Sequence, residues 1–364
     1  MSQCNNGSYS IPSIEGAQST VKDSEVVIDT RKSRFNLITC MLAMACASLL
    51  FACLIGSVPL SLLELKEATW NLINDQPRTL ASSVLDLRLS RALSGFVTGA
   101  TLALSGVLMQ ALLRNPLADP YVLGLSGGAS VGALSTILFW GAGVMVDVAA
   151  FGGAISVACI LFALAYRDLR GAGSSEGSAP LLLLTGVIVA SGCGAIVTLL
   201  LSIAPDTSLR GMVFWMIGDL SNTQPRYVSW VILFCVGVWM MKNARAINIA
   251  AMHADNASTL GINIGRLRKT LFVCAALLTA SAVSAAGSIG FVGLIIPHAC
   301  RFALGPDHRL LIPVASIAGG SFLVFADALA RTVMSPQQLP VGVITAMIGV
   351  PVFLVQLHQL RRSR

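Results

Sequence analysis

The sequence predicts an all-α polytopic membrane protein of about ten transmembrane helices, with both termini in the cytoplasm, and three observations carry that prediction. Apolar residues make up 55% of the 364 positions and charged residues 11%, whereas an ordinary soluble domain is roughly a quarter charged; mean hydropathy is +0.78. Charge-free windows of about 20 residues, the length a helix needs to cross a bilayer, recur from end to end. Lys and Arg are distributed unequally between alternate loops, which sets the orientation.

The elements follow in order. Residues 1–34 are polar and patternless and are expected to form a disordered cytoplasmic tail. Residues 35–364 then form the membrane domain. Apolar windows fall at 36–58, 92–113, 121–146, 148–166, 180–204, 227–242, 270–289, 290–304, 310–330 and 340–359. The first lacks a small-residue cleavage site and is longer than a signal core, so it reads as a retained helix. The uncharged run after Thr270 is divided at "AAGSIGFVG", where Gly287, Gly290 and Gly293 permit a reversal. With the N-terminal tail inside, 17 of the 24 Lys and Arg lie on inner segments and 7 on outer ones, in accord with the positive-inside rule. The net charge of +7 is therefore topological and calls for no nucleic acid. None of the nine cysteines forms a CxxC pair, and they read as small packing residues rather than disulfides or metal ligands.

Small residues crowd the helices. Gly95/Gly99 and Gly128/Gly132 have the GxxxG spacing that lets helix backbones approach closely in lipid. Three polar segments interrupt this scaffold. "RNPLADP", on the inner side, has Pro116 and Pro120 to block helix continuation, and Asn115 and Asp119 to make side-chain turns. The longest inner loop, "ARAINIAAMHADNASTLGINIGRLRK", has the apolar spacing of one or two short amphipathic helices. On the outer side, Met212 to Ile217 is too brief to span and reads as a re-entrant or interfacial helix.

The chemistry is narrowed by what is missing. "LSGGAS" at 125–130 has letters of a nucleotide signature, but there is no GxxxxGK[ST] cradle, and none of the five lysines follows a glycine. "GLSG" at 124–127 matches a GxSG protease pattern with Ser126 as nucleophile, for which His298 and His358 are the histidines in or near membrane windows. An ion-coupled transporter would place ionisable groups at mid-membrane, yet the windows are nearly free of charge; Asp327 lies near an outer end with Arg331 at the i,i+4 spacing of an ion pair. Energy is therefore expected to come from another chain. Arg88 and Arg91 in "LRLSRAL", with Arg331, are basic residues on the outer side, where guanidinium groups suit carboxylates or serve as interfacial anchors.

From about Arg88 to Leu357 the chain resembles the permease subunits of ABC importers for iron chelates, haem and vitamin B12, the FecCD or type II importer family. The resemblance rests on "LRLSRALSGFVTGATLALSGVLMQALLRNPLADPYVLGLSGGASVGA", "LLLLTGV", "GSIGFVGLIIPHACRFALGPDHRLLIPVASIAGG" and "LPVGVITAMIGVPVFL", in that order. It implies a translocation subunit, not an enzyme, that works in the bacterial inner membrane as a homodimer. Two cytoplasmic ATPase subunits and a periplasmic binding protein are the implied partners, with ATP and Mg2+ held by the ATPase and no cofactor by this chain. The implied solute is an iron chelate, haem or a ferric siderophore, with cobalamin as the alternative. Arg88, Arg91 and Arg331 match arginines that dock the binding protein. Asn115 and Leu117 match a cytoplasmic gate, with Ser178, Ala179 and Pro180 near a second gate. The segment 246–262 matches the coupling helices that seat on the ATPase, with Ile249, Met252, His253, Asp255, Leu260 and Gly261 as contacts. Here the chain reads "AAMHADNASTLG" where the family has a pattern close to "LALGEEvARsLG", so His253 stands for a glycine and Ser258 for an arginine, while Leu260 and Gly261 are kept.

Overall fold

The computed structural model describes residues 39–56, 61–74, 77, 79–141, 143–166, 178–221, 226–252 and 262–362. The expected tail, residues 1–34, lies outside them. The chain divides into two units, Met1–Leu42 and Ala43–Arg364. Of the first, only Thr39–Leu42 are described, and they are helical. The second is an all-helical bundle.

Twelve α-helices are present among the described residues: α1 (Thr39–Leu54), α2 (Leu62–Ile73), α3 (Leu80–Leu113), α4 (Leu125–Phe139), α5 (Val144–Leu164), α6 (Ser178–Ile203), α7 (Asp206–Ile217), α8 (Tyr227–Met252), α9 (Ile264–Ala286), α10 (Val292–Leu304), α11 (His308–Thr332) and α12 (Val341–Arg362). Six of them, α3, α5, α6, α8, α9 and α11, are long and apolar enough to cross a membrane, and α1, α4, α10 and α12 contain shorter apolar stretches. Each of these ten lies mainly in an apolar window of its own. The remaining two differ. α7 is the expected short helix, extended back to Asp206; its 12 residues span about 18 Å, too little for a bilayer. α2 falls where no helix was expected. Its start is written locally: Ser61 and Glu64 form a capping box, with the Ser61 N–H donating to the Glu64 carboxylate at 2.8 Å.

α3 is the axis. Of its most apolar 18-residue stretch, 94% is buried, against 22% for α6 and for α8, which line the periphery. Its 34 residues measure about 51 Å, well over the ~30 Å of a hydrocarbon core. The helix therefore continues about three turns beyond the window that begins at residue 92, back to the Thr79 cap, whose hydroxyl accepts the Ser82 N–H at 3.2 Å. Hydropathy missed this extension because it carries Asp86, Arg88 and Arg91.

Around α3 pack α11, α9 and α10, and glycines set the approach. A Cβ on Gly99 would overlap the Gly319 carbonyl of α11, and one on Gly106 the Gly293 carbonyl of α10. Of the two GxxxG pairs, Gly128 and Gly132 both face α5, at Gly153 and Ala149, whereas a Cβ on Gly95 would meet only ordinary contacts, with Leu220 at 3.4 Å and with Val324 of α11 at 3.8 Å. Buried hydroxyls tie α3 to α9: Ser105 and Thr279 lie 2.6 Å apart, and both bond the Ala275 carbonyl. Such bonds spare these two hydroxyls the cost of burial without a partner. The run that had to be divided breaks at Gly287 (φ 71°) and Phe291 (φ 72°), between α9 and α10.

Polar contacts mark the two ends of the bundle. At the arginine end Arg91 meets Asp327, Arg226 meets Asp147, and the Asp219 N–H donates to Ala286. At the connector end, around "RNPLADP", Arg301 meets Gln110 and Asn248 meets Asp307.

Candidate functional sites at the two ends of the bundle

At the arginine end, the extra turns of α3 carry Arg88 and Arg91 alongside the last turns of α11, which carry Asp327 and Arg331. The Arg91 guanidinium donates from Nε and Nη2 to Asp327 Oδ1 at 3.0 and 2.8 Å, and from Nη1 to Gln338 Oε1 at 3.0 Å. Arg331 approaches the other carboxylate oxygen at 3.0 Å, so the i,i+4 pair expected from spacing is present, and Asp327 serves two arginines at once. Arg88 donates to the Cys53 carbonyl at 2.9 Å and Arg331 to that of Ala52 at 3.5 Å. These carbonyls belong to the last turn of α1, where the helix has no acceptor-satisfying N–H of its own and its dipole favours cations. Gly56 leaves room for this, since a Cβ there would lie 2.6 Å from the Arg88 guanidinium.

The three arginines, on the outer side by charge topology, are thus buried rather than solvent-facing. They are 6%, 8% and 5% exposed, because the extra turns of α3 carry Arg88 and Arg91 inward against α1 and α11. Their first role is internal: they fasten α1, α3 and α11 together. A second ion pair lies at the same end, Arg226 Nη1 to Asp147 Oδ2 at 2.6 Å. It lines a cavity of about 270 Å3 with Asp219, Ser221 and Trp215.

At the connector end, α3 stops at Arg114, which is left-handed (φ 48°). The expected side-chain turns are made: the Asn115 side chain accepts the Leu117 N–H at 2.9 Å, and Asp119 accepts the Tyr121 N–H at 2.7 Å. Asp119 thereby caps a 3-10 turn at Pro120–Leu123. Loss of hydration pushes its carboxyl up to about 6, with the Tyr121 N–H pulling the other way. Asn115 is half-buried and Leu117 exposed. The connector packs on α6, where Gly186 faces Leu123 and Ala190 faces Gly124. Ser178, Ala179 and Pro180 form the first turn of that same helix, with Pro180 exposed.

The coupling segment is described only at its start. α8 runs past Lys242 and Arg245 to Met252, so Ile249 and Met252 are helical, Ile249 half-buried. His253, Asp255, Leu260 and Gly261 lie outside the described residues. The sequence reading passed over Asn248, which bonds Asp307 and His308; a lone Asn among Ile and Ala in an inner loop was its only signal. Among the described residues no hydrogen bond links Ser126 to a histidine, and His298 is buried with Nδ1 unbonded. The eight described cysteines are free thiols.

With this geometry in view, the comparisons with known proteins agree. The sequence model of the FecCD transport family matches residues 41–359. The cobalamin import system permease protein BtuC of Halobacterium salinarum is 40% identical over 287 residues, covering 78% of this chain and 75% of that protein. The hemin transport system permease protein HmuU of Yersinia pestis is 35% identical over 288 residues, covering 77% of this chain and 84% of that protein. A solved structure, an inward-facing conformation of a metal-chelate type ABC transporter, superposes with a TM-score of 0.76 at 26% identity, covering 89% of this chain and 99% of that one.

Proposed function

The chain belongs to the FecCD transport family and is a multi-pass ABC importer permease, and we infer that two copies of it form the path by which a metal chelate crosses the inner membrane. The path opens to one side at a time, driven by ATP hydrolysed on two partner subunits. The observation that supports an outside source of energy is the placement of charge. Among the described residues, the buried Arg, Asp and His side chains Arg88, Arg91, Asp327 and Arg331 sit at one end, and His298 and His308 with half-buried Arg301 lie toward the other. The spans between them carry none, as a path without an ion-coupling site requires.

The connector end is the cytoplasmic end in this reading, since it carries Arg114, Arg301 and Arg309. Asn115 and Leu117 with the first turn of α6 form the gate, and the segment 246–262 receives the ATPase. A periplasmic binding protein docks over the arginine end. Because Arg91 and Arg331 already hold Asp327, an incoming carboxylate meets them by exchange rather than as free charges.

The solute is a haem, ferric siderophore or cobalamin; relatives are named for hemin and for cobalamin. Haem is placed first. In proteoliposomes carrying the permease, its ATPase and its binding protein, ATP-dependent haemin uptake is expected to survive an excess of cyanocobalamin. Uptake of cyanocobalamin alone would move the assignment to cobalamin, and uptake of none of the three would remove the metal-chelate reading.

A further inference from the structure

Among the described residues, an amide ties the end of α8 to the start of α11. Asn248 lies one turn before Met252, where α8 enters the proposed ATPase-facing segment. Its Nδ2 donates to Asp307 Oδ1 at 2.8 Å. Its Oδ1 accepts the His308 backbone N–H at 2.9 Å and lies 2.6 Å from His308 Nδ1. An amide oxygen only accepts, so the His308 proton sits on Nδ1. The orientation of the amide is fixed likewise, because reversing it would set an NH2 against two donors and an oxygen against a carboxylate. Asp307 in turn caps α11, accepting the Arg309 N–H at 3.0 Å on the same oxygen. His308 is 2% exposed, whereas Asn248 and Asp307 are half-buried, so water has little access on the His308 side of the corner.

Asn is the side chain this corner requires. It must donate to a carboxylate and accept from an N–H within one short reach, which no aliphatic or acidic residue can do. From this corner α11 runs 25 residues, about 37 Å, to Asp327 and Arg331 at the opposite end of the bundle. A shift at the end of α8 is therefore delivered to a helix that reaches the other face.

We propose that Asn248 is a positioning residue for energy coupling: through Asp307 and His308 it ties the end of α8 to α11, so that movement imposed on α8 by the ATPase is carried to the arginine end. This rests on the reading of the chain as an ATP-driven permease.

The test uses the whole transporter in proteoliposomes, measuring ATP hydrolysis together with uptake of haemin, and of cyanocobalamin as a second probe. Asn248→Asp sets two carboxylates face to face. Uptake per ATP hydrolysed is expected to fall roughly tenfold, while the ATPase still copurifies. Combining Asn248→Asp with Asp307→Asn restores the tie between α8 and α11 with donor and acceptor exchanged, because the carboxylate then accepts from His308 and from the amide at 307; only the Arg309 N–H, which shares the Asp307 oxygen that faces Asn248, loses its cap. The pair is expected to recover uptake per ATP to within about twofold of wild type. Should the single variant fold poorly, the exchanged pair and Asn248→Ala are compared in the folded fraction. Normal uptake per ATP in Asn248→Asp or Asn248→Ala, or failure of the exchanged pair to recover it, overturns the proposal. A wild-type transporter whose uptake ignores ATP would instead overturn the underlying functional reading.

Discussion

Replacing Asp327 by alanine is expected to lower stability by about 3–5 kcal/mol, the usual cost of stranding buried charge by removing its partner. Two guanidinium groups depend on this carboxylate, Arg91 through Nε and Nη2 and Arg331 through Nε, and all three residues are at most 8% exposed. Without it, two like charges face each other across the α3–α11 contact with little water to screen them. Arg331 also reaches the Ala52 carbonyl, so the loss extends to α1. In detergent the variant is expected to lose most of its monodisperse fraction and to melt well below wild type. Asp327→Asn keeps an acceptor and is expected to fall between the two. Wild-type melting in Asp327→Ala would show that the arginines are held by something else.

The second large effect separates two glycines that look alike in sequence. Gly99→Ala places a methyl group into the Gly319 carbonyl and 2.8 Å from Leu323 Cβ, with backbone on the opposing side that cannot rotate away. The expected cost is about 2–3 kcal/mol, at the upper part of the range for overpacking. Gly95→Ala meets Leu220 Cδ1 at 3.4 Å, an ordinary contact, and is expected to change stability by no more than about 1 kcal/mol, with helix propensity in its favour. Thermal melting of the two purified variants side by side is the check. Equal melting temperatures would contradict the packing of α3 on α11.

These residues also show what could be read from the sequence. Ten apolar windows each find a helix, because burial in lipid writes itself as length without charge. The Asn115 and Asp119 turns and the break at Gly287 were legible because each is a local rule. The first turns of α3 were not, since polar helix and polar loop have the same hydropathy; the burial of Arg88 and Arg91 was therefore not legible. Nor could spacing reveal that Asp327 serves Arg91, 236 residues away, besides its i,i+4 neighbour. Asn248 was invisible for the same reason, as its partners lie 59 and 60 residues on. The small-residue run Gly124–Gly132 was suggestive of two chemistries and proved to be packing: Gly128 and Gly132 are where α5 closes on α4.

ATP dependence of uptake is the most direct test of the proposed function. With permease, ATPase subunit and binding protein reconstituted together and ATP supplied on the ATPase side, haemin or cyanocobalamin should accumulate in step with hydrolysis, and should stop when a hydrolysis-deficient ATPase subunit is substituted. Uptake that continues with the ATPase subunit omitted, and that follows an imposed proton or sodium gradient, would contradict it.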